Sequence, residues 1–362
     1  MRGDAEVVVR RGPIAALALA IGLASALLGL GTVPGGAASA DPRVVLTLVG
    51  ADGHLWALPE DGPPAIVRRN VAATGVINDL AWHPSRPEVL LVRQKMEADP
   101  TLEEQFEEPF DALVRLDLKS GKEEVVVDQI GPQARVLGPR FGPDGAWGYA
   151  RIECCLSREI LFFGSMGGPG GQTRQVATDR FLPAEVRDFT LATAGPVAAD
   201  GRILVAVECC VGDEPKDDPS GLYLVTPDLE KSERLTRGQP VTPAGLGPGN
   251  AWVAGFKRAQ EGEWNPSLVR IALPSGTERT LIPGGGLRLV DKGEVAEDGT
   301  IAMGTIQEDP GLQLKLVDVW TVGPDGQNRR NVTNGRFAGA TAFAWAPREI
   351  VLQLTASSES GS

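Results

Sequence analysis

The chain has 362 residues, 35 basic and 47 acidic, with a formal net charge of −12, four cysteines and two histidines. That balance argues against nucleic acid or anionic lipid as a partner, because both require a basic footprint. A typical catalytic zinc takes two or three His ligands and a Ser-His-Asp arrangement needs a positioned base, so two histidines leave little material for either.

Residues 1–40 read as a signal peptide. Arg2, Arg10 and Arg11 precede an apolar run from Pro13 to Val33, and Ala38-Ser39-Ala40 supplies the small-x-small pattern that places cleavage after Ala40. The expected localisation is secreted or periplasmic, with no membrane insertion once the leader is gone. An uncleaved leader would anchor the N-terminus, since about 20 apolar residues span a bilayer. Removing the leader's 3 basic and 2 acidic residues leaves 32 against 45, a formal charge of −13. The remaining chain is expected as a propeller over 41–355, followed by a disordered polar tail over 356–362.

One short unit recurs along that region. It reads as a strand, a tight turn and a second strand, clearest at Leu137–Ala150 around Pro143-Asp144-Gly145. Asp-Gly between apolar runs is a strong hairpin signal, because Gly accepts positive φ without a Cβ penalty. Copies follow the same plan around Pro84, Ala199, Pro248, Glu297 and Pro347, spaced 59, 56, 49, 49 and 50 residues apart in order. An all-strand unit repeated at this period is the mark of a β-propeller, in which each repeat buries its faces against its neighbours.

A second strand pair follows each turn unit, as in Ala112–Leu118 with Glu123–Val127, or Ser267–Ala272 with Glu278–Leu281. Each blade is therefore expected to hold four antiparallel strands, A to D. At the ends, His54–Leu58 with Ala65–Arg69 read as a C–D pair, and Ala342–Leu354 as an A–B pair. Joined, they close an all-β ring of six four-stranded blades and remove exposed edges.

These residues resemble the TolB-like propeller repeat, whose hallmark is an aromatic-Ser-Pro-Asp-Gly turn. Phe141-Gly-Pro-Asp-Gly145, Trp82-His-Pro84, Trp345-Ala-Pro347 and Asp318–Gly326 carry the likeness across essentially the whole region after the leader. The resemblance implies a six-bladed extracytoplasmic propeller, often a protein-binding scaffold. It implies no catalytic residue, because the motif is structural. The N-terminal α/β domain of TolB has no counterpart, so that protein's role in envelope integrity is not implied.

Candidates for chemistry are few. His54 and His83 fall at turns, and His83, at the small-polar position of the motif, reads as a surface turn residue. There is no Gly-x-Ser-x-Gly elbow for a hydrolase. Gly164–Gly171 lacks the Gly-Lys-Ser/Thr ending of a phosphate cradle and reads as a hairpin loop. Asn331-Val-Thr333 matches a glycosylation sequon. Cys154-Cys155 and Cys209-Cys210 sit just past strand B of consecutive blades. An even count in an exported chain suggests disulfides, with a bridge between the blades as first choice and vicinal bridges second. They lack the Cys-x-x-Cys spacing of a metal site, so no metal or cofactor is expected.

Acidic residues concentrate in the B–C loops, which share one face of the disc. Glu97, Asp99, Glu103, Glu104, Glu107, Glu108 and Asp111 lie in the longest loop, with Asp213, Glu214, Asp217 and Asp218 two blades on. Glu261, Glu263, Glu308 and Asp309 follow in later blades. A short helix after Thr101 would present Phe106 and Phe110 as anchors. The reading is a non-catalytic scaffold binding a basic protein partner through Glu103, Glu104, Phe106, Glu107, Glu108, Asp213, Asp217 and Asp218. The alternative is a small molecule or glycan at the central channel, where paired carboxylates can run acid–base chemistry without histidine.

Overall fold

The computed structural model describes residues 44–72, 75–98, 107–130, 134–142, 145–153, 159–165, 174–177, 180–187, 190–198, 200–209, 218–238, 241–258, 265–273, 275–285, 287–308, 314–337 and 339–359. They belong to one compact unit that begins at Asp41. Among them, no helix is long and apolar enough to cross a membrane.

The strands follow the alternating and β-branched runs of the repeat. Val44–Val49 (β1), Leu55–Leu58 (β2) and Ala65–Arg68 (β3) come first. Val76–Trp82 (β4), Glu88–Ala98 (β5), Glu107–Asp117 (β6) and Glu123–Ile130 (β7) form the next sheet. Ala134–Phe141 (β8), Ala146–Glu153 (β9), Glu159–Ser165 (β10) and Arg174–Ala177 (β11) form another. A single helical turn, Ala184–Arg187 (α1), precedes Thr190–Val197 (β12), Ile203–Cys209 (β13), Gly221–Val225 (β14) and Ser232–Arg234 (β15). Thr242–Leu246 (β16), Trp252–Lys257 (β17), Ser267–Ala272 (β18) and Glu278–Ile282 (β19) follow. Leu289–Val295 (β20), Ile301–Glu308 (β21), Leu314–Val322 (β22) and Arg330–Asn331 (β23) come next. Ala342–Pro347 (β24) and the helix Arg348–Glu359 (α2) end the described chain.

These strands pair into six four-stranded antiparallel sheets, each in sequence order except the one running β24-β1-β2-β3. The first strands of successive sheets, β4, β8, β12, β16, β20 and β24, touch one after another, and β24 returns to β4. The fold is an all-β propeller. Both faces of a sheet are covered by neighbours, which is why every residue of β14 is buried. The core consequently lies between sheets: Leu90, Val92 and Leu113 pack against Trp147 and Tyr149, and Phe256 packs with Ile301 and Met303.

The turns obey the chemistry of their residues. Asp200, Asp298 and Asp325 each accept the N–H two positions on, at 3.1, 2.8 and 2.9 Å. The glycine after each, Gly201, Gly299 and Gly326, holds φ of 83°, 89° and 82°. His83 plays the same part with its ring, Nδ1 accepting from Ser85 N–H at 3.1 Å. It is not a surface residue as expected, however. It is 2 % exposed, packed on Phe141, and Nε2 faces Gly145 of the neighbouring sheet. Burial, with Arg86 nearby, holds its pKa below the ordinary value.

Closure also differs from expectation. The N-terminal segment supplies three strands rather than two, and the C-terminal segment supplies β24 alone, paired with β1 from Val44↔Pro347 to Val49↔Ala342. The Pro347 turn does not reverse the chain. Residues expected as the next strand form α2, whose Val351 is buried and packs with Val45, Val67 and Ala346, with Ile350 and Leu354 alongside. Residues 356–359 continue this helix rather than joining a tail.

Candidate functional site

The β5–β6 hairpin outgrows its sheet. Its ladder runs from Glu88↔Asp117 to Ala98↔Glu107. On one side, β4 accompanies β5 only as far as Gln94; on the other, β7 accompanies β6 only to Asp111. Lys95–Ala98 with Glu107–Phe110 therefore project as a two-stranded ribbon, about 14 Å long at 3.4 Å per residue. The β21–β22 ladder likewise runs on to Glu308↔Leu314 after β20 has stopped at Leu289. Strand alternation puts both extensions on the same face, because both are connections from the second to the third strand of a sheet.

An isolated hairpin is marginal in water, so the ribbon depends on its root. Arg93, 5 % exposed, makes a two-pronged bond to Glu123 at 2.8 and 2.9 Å and donates to Val71 O at 3.2 Å. The hydrogen bonds from Arg93 hold the Glu123 carboxyl below its usual pKa. Beside it, Gln94 donates to Asp111 Oδ1 at 3.3 Å, and Asp111 Oδ2 accepts from Val136 N–H of the next sheet at 2.9 Å. Asp111, expected among the surface acids, is fully buried as part of this clamp.

Of the acids expected on the face, Glu97, Glu107 and Glu108 have their backbones in the ribbon, where Glu97 pairs with Glu108. Their side chains, together with Asp99, Glu103, Glu104, Phe106, Asp213 and Asp217, lie outside the described residues. The short helix expected after Thr101 also lies outside them. Asp218 is exposed, and Ser220 holds its pKa below the usual value by hydrogen bonds to its carboxylate, one from N–H at 2.8 Å. β9 ends at Glu153, the residue before Cys154 in sequence, and β13 ends at Cys209. The side chains of Cys154, Cys155, Cys209 and Cys210 lie outside the described residues. In the sequon, Asn331 Oδ1 accepts from the N–H groups of Thr333 and Asn334, and Thr333 is buried.

A polar cluster that sequence reasoning did not name lies on the inner strands. Lys292 Nζ donates to Asp79 Oδ1 at 2.7 Å and to Asn78 O at 3.1 Å, passing 5.6 Å from the Phe343 ring. Asp79 Oδ2 accepts from Gly138 N–H at 3.1 Å. Arg140 Nη1 donates to Gly195 O at 2.9 Å. Glu294 Oε2 accepts from Trp345 N–H at 2.8 Å, and the Trp345 indole returns a bond to Glu294 O at 3.2 Å. Burial pushes the Glu294 carboxyl up to about 8, so it is protonated at neutral pH. The usable signal was polarity on strands that should be buried, Asn78-Asp79 and Lys292-Gly293-Glu294. Much of this hydrogen bonding is spent between strands, so the cluster ties inner strands together.

No known family model matches the chain, and no curated protein sequence matches it. Among solved structures, it is similar to TolB from Acinetobacter baumannii, with a TM-score of 0.54 and 17% identity over 84% of this chain and 67% of that one. A putative TolB from Agrobacterium tumefaciens gives 0.40 and 20% identity over 60% and 67% of the two chains. An oligogalacturonate lyase in complex with manganese gives 0.40 and 11% over 80% and 84%. At such identities the likeness to the first of these is one of fold, and it establishes the chain as a propeller similar to that of TolB.

Proposed function

We propose that the chain is an exported, non-catalytic scaffold, a six-bladed propeller that binds a basic protein surface through its acidic loop face. The observation that carries this reading is the clamped β5–β6 ribbon. It lifts Glu97, Glu107 and Glu108 beyond the flanking strands, and the connecting segment adds Asp99, Glu103 and Glu104. Charge placed on a projecting element steers a partner of opposite sign and fixes its register. Six sheets whose first strands touch in turn support the blade count. A compact unit that begins at Asp41 supports cleavage after Ala40.

The test is affinity capture with residues 41–362 from envelope and secreted proteins, at low and high salt. The comparison bait carries Glu103, Glu104, Glu107 and Glu108 all changed to Gln. A partner held at low salt by the native bait, released at high salt and missed by the variant supports the docking face. Equal capture by both baits removes it.

The channel reading rests on Asp79, Lys292 and Glu294. Lys292 bonds Asp79 from β20 to β4, and Glu294 bonds Trp345 on β24, which favours a strut over a binding site. A thermal shift with calcium or a sugar that Asp79→Asn abolishes would reverse that preference.

A further inference from the structure

The β1–β2 turn, the β23–β24 connection and Pro64 line an open pocket of about 480 Å³ that the docking reading does not use. One wall is apolar: Trp56 and Phe337 meet edge to face with ring centroids 5.4 Å apart, and Pro64 continues that wall. Beside that wall lies Asp52, whose carboxylate accepts the Trp56 indole N–H at 3.1 Å and the His54 N–H at 3.0 Å. Gly50 makes this arrangement possible. A Cβ there would come within 2.7 Å of Asp52 Oδ1 and 3.3 Å of Trp56 Nε1.

The loop carrying Arg336 and Phe337 is also held in place. The Thr333 hydroxyl and Gly335 N–H both donate to Asp318 Oδ1, and Arg336 N–H bonds Thr333 O at 2.9 Å. Burial raises the Asp318 pKa, but these hydrogen bonds outweigh it and hold the carboxyl below its usual value. The Arg336 guanidinium itself makes no hydrogen bond or ion pair among the described residues, whereas Arg234, Arg329 and Arg330 all bond carbonyl oxygens. A free guanidinium beside a preorganised aromatic wall is an anion receptor with an apolar seat.

We propose that this pocket binds a single carboxylate borne next to an apolar ring or branched chain. Arg336 takes the carboxylate, and Trp56, Phe337 and Pro64 take the apolar body. The Asp52 carboxylate in the same pocket disfavours the double charge of a phosphate. The carboxylate belongs either to a free small molecule or to the C-terminal residue of a polypeptide.

The full chain is titrated by calorimetry with N-acetylphenylalanine, with its amide, and with a short peptide ending in Phe as free acid or amide. The acids are expected to bind and the amides not, and Arg336→Gln, at an exposed site, to lose about tenfold or more in affinity with its melting temperature unchanged. Binding of the small acid alone assigns a free molecule; tighter binding of the peptide acid assigns a chain terminus. Equal binding of acid and amide, unchanged binding by Arg336→Gln, or no binding of either acid at millimolar concentration overturns the proposal. The titration needs no partner protein, so its failure leaves the docking face untouched.

Discussion

Lys292 on β20 donates to Asp79 on β4 at 2.7 Å, reaching past β24, which lies between those strands in the ring. The lysine passes the Phe343 ring on β24 and also donates to Asn78 O, so one side chain engages three inner strands. The closing strand is thus spanned by its neighbours, in addition to its own pairing with β1.

The two side chains are 29% and 23% exposed, so their coupling is only partly screened by water. A double-mutant cycle with Lys292→Met and Asp79→Asn is expected to return a coupling of about 1 kcal/mol in urea unfolding. Strictly additive single effects would show that the contact does not help to close the ring.

Glu294 shapes the pH dependence of stability. Its carboxyl rises from 4.5 to about 8, so between those values the folded chain holds a proton that the unfolded chain has released. The stabilisation is complete below pH 4.5 and is lost as the pH climbs to about 8. Glu294→Gln should flatten that decline, because an amide keeps the same shape without ionising. Parallel stability curves for native protein and variant from pH 5 to pH 8 would contradict the buried, protonated state.

Trp82 Nε1 donates to Thr47 Oγ1 at 2.8 Å, and Thr47 Oγ1 donates to Ala344 O at 2.8 Å. This buried relay joins β4, β1 and β24. Thr47→Val conserves shape but strands an indole donor, at an expected cost of about 2 kcal/mol. Thr47→Ser keeps the hydroxyl and should cost less. A valine variant as stable as the serine variant in chemical denaturation would show the relay to be dispensable.

Gly145 has φ of 79°, and a Cβ there would lie 2.6 Å from His83 Nε2. Gly145→Ala is expected to cost about 1 kcal/mol for the left-handed backbone and more for the clash. Combining it with His83→Ala should recover the clash but not the backbone cost. A melting temperature unaffected by Gly145→Ala would mean that the two sheets are looser at this seam.

Much of the fold was legible because its signals are local. Asp-Gly turns at Asp200, Asp298 and Asp325 announce themselves within three residues, and the strands around them alternate. The candidate face was legible as charge in a long insertion, but not as a projecting ribbon. That shape depends on where β4 and β7 stop, which no composition records. The C-terminal run Ile350–Leu354 misled for a related reason. Five mostly apolar residues suit a buried strand or one face of a helix equally, and only the core against Val351 selects the helix.

By itself, then, the sequence determined a repeated four-stranded unit and a propeller, since side-chain alternation and turn chemistry act between near neighbours. Tertiary structure alone decided which chain end completes the closing sheet, that His83 is buried, and that Asp79 meets Lys292. Those outcomes rest on contacts such as Thr47 to Ala344, separated by 297 positions, and Lys292 to Asp79, separated by 213. At such separations no local pattern carries the partner's identity, and packing selects it.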